Sequence, residues 1–134
     1  MKKSLSILII LTAVLTAFAR PVKRIKFPKG ATQVTVKGEL KNYRDVQEYV
    51  IRLRENQTFK IDQIDGEDIT GGAVSISVTD PDGENVDDYA ADCHSYFRLP
   101  KTKAGDYKIR VFECLKGDEW NGTFKIKVSA VDNK

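Results

Sequence analysis

The sequence predicts an all-β fold, an antiparallel β-sandwich of about eight strands held by one disulfide, and three observations predict it. Apolar and polar residues alternate along almost the whole chain beyond residue 19, and no helical periodicity of useful length interrupts them. Turn-forming residues punctuate that alternation at short, regular intervals, the spacing of a sandwich or barrel. The chain has two cysteines, Cys93 and Cys114, behind a leader that exports it to an oxidising compartment.

Taken in order, the expected strands begin with the segment 22–27 and continue with Val34, Val36 and Leu40, which alternate with Thr35, Lys37 and Glu39. Tyr49, Ile51 and Leu53 follow against Val50, Arg52 and Arg54, then Phe59 and Ile61. Val74, Ile76 and Val78 alternate with Ser75, Ser77 and Thr79; the segment 95–99 and then Tyr107, Ile109 and Val111 come next. Phe124, Ile126, Val128 and Ala130 close the series against Lys125, Lys127 and Ser129. Each strand is expected to turn one face to a core and the other to water. Pro28-Lys29-Gly30, Lys41-Asn42-Tyr43, Glu55-Asn56, Gly71-Gly72, Asp80-Pro81-Asp82-Gly83, Ala104-Gly105-Asp106 and Asn121-Gly122 mark the turns.

The leader occupies residues 1–19. Lys2 and Lys3 form a positive start, the segment 5–14 is apolar, and Ala17-Phe18-Ala19 is a small-x-small cleavage signature. The alternative, a retained anchor, calls for about 20 apolar residues, and here Arg20, Lys23 and Arg24 follow at once. Residues 20–134 are then a single domain in the periplasm or the medium. Loss of Lys2 and Lys3 takes the 22 basic residues to 20 against 19 acids, so the mature chain is close to neutral. The basic pI of the full chain is therefore no sign of nucleic-acid binding, and no membrane contact is expected after cleavage.

An isolated cysteine pair in an oxidising compartment is expected to bridge, whereas a reactive-thiol or metal pair would call for a CxxC spacing. The segments 97–99 and 107–111 flank residues 100–106 like the arms of a hairpin. Facing core residues of such a hairpin have numbers with an even sum, which 93 and 114 do not. Either a bulge intervenes or Cys93 lies outside the strand.

Catalysis finds little footing. His94 is the only histidine, which removes Ser-His-Asp, Cys-His and multi-histidine metal arrangements, and neither a nucleophile elbow nor a phosphate-cradling glycine loop is present. The chain is read as no enzyme. Between Ile61 and Phe97 ten acids accumulate without one Lys or Arg. Three readings apply: solvated loops, an acidic face for a basic partner, or calcium held by Asp80, Asp82 and Asp87 around Gly83, without the distal Glu of an EF-hand. Aromatic residues in expected loops are the other candidates, namely Tyr43, Tyr89 and Trp120, each of which could instead be a lid over an open end of the sandwich. Asn56-Gln57-Thr58 and Asn121-Gly122-Thr123 match the glycosylation triplet.

Several short pieces carry a family resemblance. Ile25-Lys26-Phe27-Pro28-Lys29-Gly30, Gly38-Glu39-Leu40-Lys41-Asn42-Tyr43, Tyr49, Phe97-Arg98-Leu99-Pro100 and Gly105-Asp106-Tyr107-Lys108-Ile109-Arg110-Val111, behind a signal peptide, resemble the bacterial inhibitors of goose-type lysozyme. The last two pieces and Asp80-Pro81-Asp82-Gly83 also resemble pre-peptidase C-terminal domains, β-sandwiches appended to secreted enzymes. The first resemblance implies a non-catalytic protein that occludes a lysozyme cleft with Tyr43 and the loop 116–120, including Lys116 and Trp120. The arginines expected beyond the Arg-Val strand are absent here, and Lys116 is the base that stands there. The second implies an extracellular domain that binds carbohydrate or a protein, steadied by calcium or not.

Overall fold

The computed structural model describes residues 20–86 and 93–134, so the expected leader, Asp87 and Tyr89 lie outside the described residues. Among these, the secondary structure is eight strands: β1 (Lys23–Ile25), β2 (Gln33–Leu40), β3 (Val46–Leu53), β4 (Gln57–Gln63), β5 (Val74–Thr79), β6 (Tyr96–Leu99), β7 (Gly105–Glu113) and β8 (Gly122–Asp132). They form two four-stranded sheets, β1-β3-β7-β5 and β2-β8-β4-β6. All pairings are antiparallel except that of the short edge strand β1, which runs parallel to β3 with Lys23 opposite Tyr49.

Alternation decides which residues enter the core. The two inner faces bring Tyr49, Ile51, Ile76, Ile109 and Val111 against Leu40, Phe59, Ile61, Phe124 and Ile126, all at most 1% exposed. Each such aliphatic or aromatic side chain contributes about 1.5–3 kcal/mol when removed from water. Close approach is needed at Gly38, where a Cβ would stand 2.3 Å from Phe124 Cζ. β5 departs from the expected one wet face: Ser75 and Ser77 are buried along with Val74, Ile76 and Val78. Its open edge is also taken up, because Ile76 N–H donates to His94 O at 2.9 Å and Val86 N–H to Val78 O at 3.0 Å. That cover removes an edge that would otherwise be free to pair with other chains.

The expected hairpin between 97–99 and 107–111 does not form. β6 pairs with β4 in one sheet and β7 pairs with β3 and β5 in the other. The connection between them crosses the sandwich, and Thr102 pins it there: its N–H donates to Gln57 O (2.9 Å) and its hydroxyl to Arg54 O (2.7 Å), while Gln57 N–H donates back to the hydroxyl. Of the two alternatives the numbering left for the cysteines, the second holds: the bridge forms with Cys93 outside the strand. Cys93 lies before β6 in a left-handed conformation (φ 62°), and bonds to Cys114, the first residue after β7, with the Cα atoms 4.9 Å apart.

Candidate functional site

The strand registers gather two connections at one end of the sandwich. Leu40 lies opposite Gly122, Val46 opposite Phe112 and Val74 opposite Glu113, so the loops 41–45 and 114–121 emerge side by side.

The first loop is a tight turn fixed by its own polar groups. Asn42 Oδ1 accepts from Arg44 N–H (3.1 Å) and Asn42 O from Asp45 N–H (3.0 Å). Asp45 in turn accepts from Lys41 N–H at 2.7 Å and is bridged by Arg20. Burial pushes the Asp45 carboxyl up, but the Lys41 amide and the Arg20 guanidinium outweigh it and hold the group below the usual carboxylate range. A turn braced in this way holds Tyr43 at its apex without further ordering cost.

The second loop is braced from beneath. Cys114 roots it through the disulfide, and Gly117 N–H closes a turn onto Cys114 O at 3.2 Å. Glu113, fully buried, accepts the Trp120 N–H through one carboxylate oxygen. The Trp120 ring lies on Gly71 and Gly72 and its Nε1–H donates to Ala73 O at 3.3 Å. A Cβ at Gly71 would be 2.2 Å from Trp120 Cζ3, so the absent side chain makes the seat for the indole.

Tyr43 joins the loops, its hydroxyl donating to Leu115 O at 3.4 Å. Shallow depressions flank it on both sides. One is floored by Val46, Phe112 and Leu115 and edged by Arg44, Asp45 and Arg110; the other is lined by Lys41, Asn42, Glu119, Trp120 and Asn121. Leu115 is 59% exposed, an apolar side chain held out at the rim.

Of the residues singled out in the sequence, Tyr43, Lys116 and Trp120 are thus brought to one end. Lys116 is exposed, whereas Trp120 is half-buried and packs against the core, so it forms part of a lid as well as the wall of a depression. Asp80 and Asp82 stand at the opposite end, beyond the last residue of β5. Asp80 Oδ1 accepts from Asp82 N–H (2.9 Å) and Glu84 N–H (3.0 Å), and Lys103 Nζ bridges both carboxylates, at 3.3 Å to Asp80 and 2.8 Å to Asp82. The Glu84 amide, then Lys103 and the Asp82 amide, keep the Asp80 carboxyl below its ordinary range despite burial. No group of three or more metal-ligating side chains occurs among the described residues.

Sequence reasoning passed over Glu113, Arg44 and Arg110. For Glu113 a signal was present: it continues the buried series Tyr107, Ile109 and Val111, and a carboxylate at a core position of a strand calls for a partner.

No family model and no curated protein matches the chain. Solved structures do. The periplasmic inhibitor of g-type lysozyme PliG from Aeromonas hydrophila superposes with a TM-score of 0.58 at 16% identity, over 81% of this chain and 95% of that one. Its namesake from Salmonella Typhimurium gives 0.52 at 16% identity, over 80% and 95%. The pre-peptidase C-terminal domain of a Bacillus anthracis collagenase gives 0.53 at 16% identity, over 84% and 98%. The fold is shared. Both resemblances drawn from short motifs therefore hold at the level of architecture, and the likeness runs almost the full length of the PliG chains.

Proposed function

We propose that this chain is an exported, non-catalytic protein that inhibits a goose-type lysozyme by occluding its cleft. The observation that supports the reading best is the braced end of the sandwich: Tyr43 tied to the loop that carries Lys116 and Trp120, on a fold shared with proteins described as inhibitors of g-type lysozyme. Occlusion breaks and makes no bond. It asks for a protruding, preorganised surface with an aromatic anchor, since rigid loops lose little freedom on docking and Tyr contributes disproportionately at interfaces. Lys116 adds a positive charge, which draws the end toward an acidic cleft and makes association faster at low salt than at high. The same reading places the protein in the periplasm or outside the cell, where such a lysozyme acts.

Immobilised mature protein exposed to lysozymes of different classes tests this. Retention of the goose-type enzyme, weakened about 30-fold or more by Tyr43→Ala, is the expected outcome. Equal indifference to every class would end the proposal. The likeness to the collagenase domain supports a second reading, an extracellular domain that binds carbohydrate or another protein; retention of a glycan array ligand in place of lysozyme would favour it.

A further inference from the structure

The depression lined by Arg44 and Arg110 sets two guanidinium groups beside an apolar floor. Five arginines have carboxylate partners: Arg20 with Asp45, Arg24 with Asp106, Arg54 with Asp132, Arg98 with Asp62 and Arg110 with Glu48. Arg44 and Arg52 form no ion pair among the described residues, and of the two it is Arg44 that shares this depression, with Asp45 beside it. Asp45 is already engaged by Arg20 and the Lys41 amide, and Glu48 by Arg110 at 3.5 Å. The turn that fixes Tyr43 also fixes the Arg44 backbone, through the hydrogen bond from its N–H to Asn42 Oδ1. Directly below lie the apolar side chains of Val46, Phe112 and Leu115.

A guanidinium without a carboxylate, beside an apolar floor, is complementary to a side chain with an aliphatic stem and a carboxylate head. The stem covers Phe112 and Leu115, and the planar fork of the guanidinium takes both carboxylate oxygens. On the reading of this end as the partner-binding surface, we infer that the depression receives an acidic side chain from the rim of the partner's cleft, with Arg44 as the residue that binds its carboxylate. Tyr43 and Arg44, adjacent in one turn, then divide the work: the ring enters the cleft and the guanidinium fixes the register at its edge. Arg110 lends field without giving up Glu48.

The test compares affinity for a goose-type lysozyme across wild type, Arg44→Lys, Arg44→Glu, Tyr43→Ala and a charge-matched control, Lys60→Glu, on the outer face of β4. Circular dichroism melts establish that each variant folds. Arg44→Glu is expected to weaken the complex about 100-fold and Arg44→Lys about 10-fold, because an ammonium keeps the charge and loses the fork, while Lys60→Glu changes it by less than about 2-fold. If Arg44→Glu behaves like Lys60→Glu while Tyr43→Ala still weakens binding, the inference falls and the inhibitor reading stands. If wild type binds no goose-type lysozyme, both fall together.

Discussion

Tyr49 shows how a single residue can be both legible and surprising. Its place in the alternation of β3 marks it as core, and it is 1% exposed, but its hydroxyl has no hydrogen-bond partner among the described residues. Burial pushes the phenol up to about 12, against which Arg20 pulls weakly. A folded pKa above the unfolded value near 10 means that the associated stability is intact below pH 10 and is lost as pH rises through about 12. Tyr49→Phe removes an unpaired polar atom and this titration together. The variant is expected to equal or exceed wild type at pH 8 and to gain a further 1–2 kcal/mol or so relative to it at pH 11, read from urea melts at the two values. A constant difference between them would contradict the assignment. Tyr43 was legible because an aromatic residue between two alternating segments has no core face to enter. Arg44 was not, since what distinguishes it is the engagement of its neighbours by Arg20 and Arg110, which the sequence separates by 20 residues or more.

At the scale of elements, the loop 114–121 depends on a surface formed by other loops. Gly71 reads in the sequence as a turn signal, whereas in the structure it is the floor under Trp120. Gly71→Ala is expected to displace the indole and cost about 1–3 kcal/mol by overpacking, with the Trp120 fluorescence maximum shifting to longer wavelength as the ring becomes wetter. An unshifted spectrum with unchanged stability would show that the seat is not tight. At the other end, the turn Asp80-Pro81-Asp82-Gly83 has its carboxylates joined by Lys103, a cation supplied by the chain itself. Calcium is accordingly expected to leave the melting temperature within about 1 °C of its value in chelator, as binding to the native state alone would raise it with concentration. A dose-dependent rise would mean that the acidic segment holds the ion. The strands themselves were legible nearly throughout, with β4 and β8 extending by two residues at each end beyond the alternating apolar core that marked them. β5 was misread on its outer face because period-two patterning reports which side chains are polar and says nothing about what later folds over them.

For the whole molecule, the sandwich was legible and its strand order was not. Proximity in sequence suggested that β6 and β7 pair, while Thr102 carries the chain from one sheet to the other, a hydrogen-bonding arrangement made with Arg54, Asn56 and Gln57 some 45 residues earlier. The disulfide spans that same crossover, with its ends 21 positions apart in sequence, and it anchors the proposed docking loop to the segment just before β6. Replacing both cysteines by serine is expected to lower stability by about 3 kcal/mol in the chain-entropy picture and to weaken partner binding further than Lys116→Ala alone. Full affinity in a reduced but folded protein would detach the bridge from the function. The central claim, that the braced end closes a lysozyme cleft, is tested most directly by titrating a goose-type lysozyme with the mature protein while following hydrolysis of peptidoglycan. Turnover is expected to fall linearly and to vanish near one equivalent; turnover that persists in excess protein would contradict the account.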